Sequence, residues 1–123
     1  MKPNLNGELD KDGKRIWTNS KGELHRENGP AVEWVDGDKL WYINGKLHRE
    51  DGPAIELADG TKYWYINGEQ HREDGPAVED ADGNMCWFIN DKQISKDEWL
   101  QWLKDGHSSL TKNEVMRLIL EWS

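Results

Sequence analysis

Lys39-Leu40-Trp41-Tyr42-Ile43, Lys62-Tyr63-Trp64-Tyr65-Ile66 and Met85-Cys86-Trp87-Phe88-Ile89 are three largely apolar runs of one design, each ending at Asn-Gly or Asn-Asp. Successive side chains on a strand point to opposite faces, so Trp41 and Ile43 share one face while Leu40 and Tyr42 share the other. The same split sets Trp64 and Ile66 against Tyr63 and Tyr65, and Trp87 and Ile89 against Cys86 and Phe88. A second set of runs, Ala31–Val35, Ala54–Ala58 and Ala77–Ala81, leads into Asp36-Gly37, Asp59-Gly60 and Asp82-Gly83. These are turn dipeptides, because Gly takes a positive φ without steric cost. The pattern predicts antiparallel hairpins with two strands per unit. Pro30, Pro53 and Pro76 stand at strand starts, where a missing amide hydrogen leaves the ladder intact. A stacked Trp/Ile stripe is expected to form the core. The opposite stripe, Tyr42, Tyr65 and Phe88, is expected either to lie under Arg and Lys stems or the C-terminal segment, or to form an exposed binding patch.

The units repeat at a fixed spacing. His25-Arg26, His48-Arg49 and His71-Arg72 open copies 23 residues apart, each continuing Glu-(Asn/Asp)-Gly-Pro-Ala-(Val/Ile)-Glu, and self-similarity of this kind marks a repeat architecture. The expected organisation is a β-hairpin repeat region over residues 1–94 and a two-helix cap over 95–123. Within the first region a degenerate hairpin at 5–24 precedes repeats at 25–47, 48–70 and 71–94. Terminal repeats are commonly atypical because one side faces water. Met1–Asn4 reads as a short disordered lead, and one extra residue falls within Asn19-Ser20-Lys21-Gly22.

From Ser95 the period changes. Ser95-Lys96-Asp97-Glu98 and Thr111-Lys112-Asn113-Glu114 both fit the capping box, in which a hydroxyl and a carboxylate satisfy free amides at a helix start. Helices are expected over about 96–104, with Trp99, Trp102 and Leu103 on one side, and over 112–122, with Val115, Leu118, Ile119 and Trp122 on one side. The helical pair is expected to hide the open edge of the last hairpin.

Composition narrows the function. With hydrophobic residues at 35% but eight Trp in the chain, apolar area is concentrated in a few large rings, which suits a thin sheet without a deep core. The net charge of -8 argues against general nucleic-acid binding, which rests on neutralising phosphates, and points to a basic partner surface. The single cysteine, Cys86, excludes an internal disulfide and fits a reducing compartment. No apolar run approaches the length of a membrane span and the first residues lack a signal-peptide core, so a cytoplasmic location is expected.

The His-Arg ladder is the sharpest chemical candidate. Repeat-equivalent positions two strands apart lie about 10 Å from one another, whereas zinc needs ligands within about 2 Å of the ion, so no metal site is expected. A structural reading pairs each Arg with the neighbouring Glu27, Glu50 or Glu73 and lets each His bond a turn carbonyl. A functional reading has His25, Arg26, His48, Arg49, His71 and Arg72 line a groove that holds an anionic, nucleotide-like small molecule between Arg forks and aromatic faces. Glu33, Glu56 and Glu79 form a second ladder; their repeated, equal environments do not separate two pKa values as acid-base catalysis requires, and solvated strand faces explain them. Cys86 reads as a small buried thiol and His107 as a loop residue. The chain is expected not to be an enzyme and to need no cofactor.

Tyr63-Trp64-Tyr65-Ile66-Asn67-Gly68, with Lys46-Leu47-His48 and Ala58-Asp59-Gly60, resembles the MORN repeat, a resemblance that implies β-hairpins stacked into a twisted open sheet. Arg26, Arg49 and Arg72 stand where that family usually has Gly after the His, and Gly-Pro-Ala looks inserted, so MORN lipid binding is not carried over. Residues from about 12 to 103 more closely resemble small tailed-phage proteins built of Trp-Tyr-x-Asn-Gly-x-x-His-Arg-x-Asp-Gly-Pro-Ala repeats, which often end in a Ser-x-x-Glu-Trp helix like Ser95–Trp99. That resemblance implies a phage accessory protein, of a kind that often antagonises host defence, and the leading expectation is a non-catalytic inhibitor that docks its acidic, aromatic-rich surface on a host protein. Trp34, Tyr42, Tyr65 and Phe88 are the expected anchors, since aromatic residues dominate binding hot spots. Sequestration of a nucleotide signal by the His-Arg ladder and an oligomerising role through the sheet edge are the alternatives.

Overall fold

The computed structural model describes residues 6–123; the expected lead at Met1–Asn4 lies outside the described residues. Twelve short strands and two helices follow in order among the described residues: β1 (Lys14–Ile16), β2 (Val32–Trp34), β3 (Lys39–Leu40), β4 (Tyr42–Ile43), β5 (Lys46–Leu47), β6 (Ile55–Glu56), β7 (Lys62–Tyr63), β8 (Tyr65–Ile66), β9 (Glu69–Gln70), β10 (Val78–Glu79), β11 (Met85–Ile89), β12 (Lys92–Ile94), α1 (Lys96–Lys104) and α2 (Lys112–Trp122). Eight strands form one antiparallel sheet in the order β1-β2-β3-β6-β7-β10-β11-β12, and β4-β5 and β8-β9 form two-stranded hairpins. The fold is thus mostly β with a C-terminal helical pair.

Two strands per repeat was too simple. Trp41 and Trp64 are hinges at which the second strand changes partner. Leu40 faces Val32 and Ile55 in the main sheet, while Tyr42 faces Leu47 in the small hairpin. Between them Trp41 N–H donates to the Ala54 carbonyl and the Trp41 carbonyl accepts from His48 N–H. Trp17 and Trp64 have the same backbone partners in their own repeats: Trp17 N–H donates to Ala31 and Trp64 N–H to Ala77. The extra residue near Asn19 is absorbed in a turn that the bridge between Thr18 and Leu24 closes. Asn44, Asn67 and Asn90 take φ near +50° at the reversals, a conformation Asn tolerates better than other non-glycine residues.

Burial also departs from the expected stripe. In the repeats the fully buried side chains are small: Ala31, Ala54 and Ala77 have no exposed surface. Trp41, Ile43, Trp64 and Ile66 are only half-buried. Large-residue burial is concentrated at the C-terminal end, where Trp99, Leu100, Leu103 and Leu118 form a cluster joined by Trp87, Ile89, Ile94 and Trp122.

Both helices carry the capping boxes that the sequence shows. Ser95 accepts from Glu98 N–H and Thr111 from Glu114 N–H, with both carboxylates reaching back to their N-cap amides. The pair packs on the face of the last hairpin through Trp87, Ile89 and Ile94, because the apolar helix sides match the Trp/Ile face. No helix among the described residues is long and apolar enough to cross a membrane.

Candidate functional site

Each His-Arg pair locks one repeat to the next. The backbone N–H groups of Asn44, Asn67 and Asn90 donate to Nδ1 of His25, His48 and His71 at 2.9, 3.0 and 2.9 Å. The imidazole is therefore an acceptor of an amide, not a donor to a turn carbonyl as expected. With Nδ1 accepting, the ring proton sits on Nε2, which lies 3.7 Å from the carboxylates of Glu27 and Glu50 and 4.0 Å from that of Glu73.

The arginines sit over the tryptophans that precede them in the chain. Guanidinium carbons of Arg26, Arg49 and Arg72 sit 3.8, 3.8 and 3.9 Å from the ring centres of Trp17, Trp41 and Trp64, well within the range of cation–π attraction. From this stack each Arg reaches the carboxylate seven residues on, Glu33, Glu56 or Glu79, at 3.0, 2.6 and 3.3 Å, and the carbonyl of Pro30, Pro53 or Pro76. Pairing with the adjacent Glu27, Glu50 and Glu73 was expected; stacking carries the fork away from them. The Glu33, Glu56 and Glu79 ladder is accordingly a set of ion-pair partners rather than a merely solvated face. In the second and third repeats Nε also holds Asp51 and Asp74 at 2.9 Å. A Cβ at Gly52 would stand 2.8 Å from the Arg49 guanidinium carbon, closer than real Cβ contacts come, which explains the Gly of the Gly-Pro-Ala segment.

Between successive repeats this arrangement leaves a groove. The first, of about 700 Å³, has Trp41 and Ile43 in its floor and Arg26, Glu27, His48 and Glu50 around it. The second, of about 500 Å³, is the same set moved on by one repeat, with Trp64 and Ile66 in the floor. The His-Arg ladder and the Trp/Ile stripe therefore lie on one grooved face. Nη1 of all three arginines, and Nε of Arg49 and Arg72, already bond Glu, Asp and proline carbonyls, which leaves fewer donors for an anionic ligand. Among the described residues no cluster of three or more His, Cys, Asp and Glu is placed to hold a metal.

The expected anchors lie elsewhere. Tyr42, Tyr65 and Phe88 are half-buried and, by strand alternation, point away from the groove face. Burial pushes the Tyr65 hydroxyl above its ordinary pKa, helped by the Asp91 charge and by Tyr63 and Tyr42. Trp34 is 37% exposed and has the Lys14 ammonium 5.0 Å from its ring centre. Sequence reading expected a groove lined by the His-Arg ladder and missed its Trp and Ile floor and its Glu27 and Glu50 rim. One signal was available: Ile94-Ser95 stands in register with His71-Arg72, at the point where the repeat gives way to a helix.

No family model, curated protein or solved structure matches this chain.

Proposed function

We propose that the chain is a non-catalytic binding module that docks on a basic surface of a host protein through its grooved face. The observation that carries this reading is the pairing of an aromatic floor with an acidic rim, twice, one repeat apart. Trp41 with Ile43 and Trp64 with Ile66 are half-buried at the bottom, while Glu27, Glu50 and Asp51 are exposed at the top. Apolar grooves framed by charge are suited to a partner that brings an apolar side chain flanked by Lys or Arg. The resemblance to tailed-phage repeat proteins extends the proposal to a phage product that acts in the host cytoplasm on a defence component.

Charge reversal at the rim tests it. Glu27→Lys with Glu50→Lys changes two exposed side chains and leaves the Arg–Trp stacks in place. A tagged protein recovered from host lysate is expected to lose its stoichiometric partner in this folded double variant. A partner retained at the same level by the variant would contradict docking at the grooves.

A further inference from the structure

The groove occurs three times, and the third copy is filled. Moving the second groove on by one repeat places Trp87 and Ile89 in the floor and Arg72, Glu73 and Ile94 around it. There the chain inserts its own Trp99 from α1. The Trp99 ring is fully buried, lies 6.1 Å from the Trp87 ring centre and meets Trp122 edge-on at 6.0 Å. Its Nε1–H donates to the Glu73 carbonyl at 2.9 Å. From the loop after α1, Ser109 places its backbone N–H and its hydroxyl on the Glu73 carboxylate at 2.6 and 2.8 Å.

The two remaining grooves keep the Trp/Ile floor and the Glu wall without the occupant, and carry His48-Arg49 and His71-Arg72 where the third has Ile94-Ser95. Glu73, held under Ser109, has a side chain 23% exposed, whereas those of Glu27 and Glu50 are 78% and 84% exposed. Among the described residues nothing donates to the carbonyls of Glu27 and Glu50, the counterparts of the Trp99 acceptor. The second groove is also continuous with the filled one, since Ser109 and Leu110 form part of its wall.

We infer that the open grooves each take a tryptophan side chain from a basic segment of the partner, in the pose that Trp99 adopts in the third. The indole would lie against the side of Trp41 or Trp64 that Arg49 or Arg72 does not cover and give its N–H to the Glu27 or Glu50 carbonyl. Lys, Arg or hydroxyl groups beside it would meet the Glu27, Glu50 and Asp51 carboxylates. A second copy of this chain is a poor occupant, because each copy carries a net charge of -8 and like charges facing one another oppose association. The inference rests on the docking reading and specifies its ligand.

The test is a titration of the ¹⁵N-labelled full chain with a short capped peptide carrying one tryptophan between lysines, against the same peptide with leucine. The tryptophan peptide is expected to shift the indole signals of Trp41 and Trp64 and the amides around Glu27 and Glu50. The leucine peptide should bind roughly tenfold more weakly, for loss of one hydrogen bond and a ring contact. Glu50→Lys should weaken the response at the second groove. Equal affinity of both peptides at the grooves would overturn the tryptophan pose while leaving acidic docking standing. Shifts confined to other surfaces, or no binding by either peptide, would overturn both. A concentration-dependent dimer of the free chain that Glu27→Lys dissociates would assign the grooves to a second copy and overturn the inference.

Discussion

Arg49 sits over Trp41, its guanidinium carbon 3.8 Å from the ring centre, and from there its Nη1 bonds Glu56 and the Pro53 carbonyl. One side chain thus joins the hinge of one repeat to the first strand of the next. Because the same triangle recurs at Arg26 and Arg72, the residues that read as a ligand site are a large part of what fixes the stacking. Arg49→Ala removes a cation–π contact and leaves the Glu56 carboxylate without its partner, and should cost about 2–3 kcal/mol. Arg49→Lys keeps the charge but not the flat fork and should recover less than half of that loss. Denaturant unfolding of the three proteins checks both values; an Arg49→Lys variant as stable as the parent would contradict the stacking account.

His48 reaches the next repeat's turn through one ring atom. Its Nδ1 accepts the Asn67 amide at the left-handed turn residue, so His48→Phe, which keeps a ring but removes the acceptor, should destabilise by about 1 kcal/mol. Amide hydrogen exchange at Asn67 is expected to accelerate more than that at Asn44, whose own acceptor is His25. Equal changes at the two amides would argue against the specific bond.

At the other end of the sheet, Trp99 occupies the centre of the main apolar cluster against Trp87 and Trp122. Trp99→Ala should cost about 3–5 kcal/mol, whereas Trp102→Ala, at a half-buried position stacked with His107, should cost clearly less. Thermal melts of the two variants separate them. A Trp102→Ala loss as large as that of Trp99→Ala would contradict the placement of the cluster.

Acid should loosen the chain from its caps and pairs. Hydrogen bonds from the Ser95 amide and side chain hold the Glu98 carboxyl below its ordinary value, and the Arg49 hydrogen bond and charge do the same for Asp51. Asp80 is lowered by the Asn84 side chain and backbone. Each folded-state pKa is depressed, so the stabilisation is present above the unfolded value of about 4 and is lost as pH falls through the folded value. The contribution of these carboxylates to the melting temperature should be constant above about pH 5 and fall below about 4. Glu98→Gln, which retains an acceptor without a charge, should flatten part of that fall in melts recorded at stepped pH.

The fold class and both helices were legible because their signals are local. Asp-Gly and Asn-Gly mark reversals by backbone conformation alone, and a Ser or Thr three residues before Glu marks a helix start wherever it packs. Trp41 as a hinge was not legible, since a strand that changes partners mid-run keeps its alternation. The stripe of Trp and Ile was visible, but alternation says which side chains share a face and not whether that face is buried, covered by Arg or left as a groove. The destination of Arg49 was hidden for a related reason: adjacency favours Glu50, while the choice of Glu56 depends on a ring supplied by the preceding turn.

Docking at the grooves is tested most directly by carbodiimide crosslinking of the tagged chain to the partner it recovers, followed by mass mapping of the joined residues. Partner lysines should link to Glu27, Glu50 and Asp51 around the two open grooves. Links confined to Asp91 and its neighbours beside Tyr65, with none at the groove rim, would place the partner on the opposite face and contradict the account.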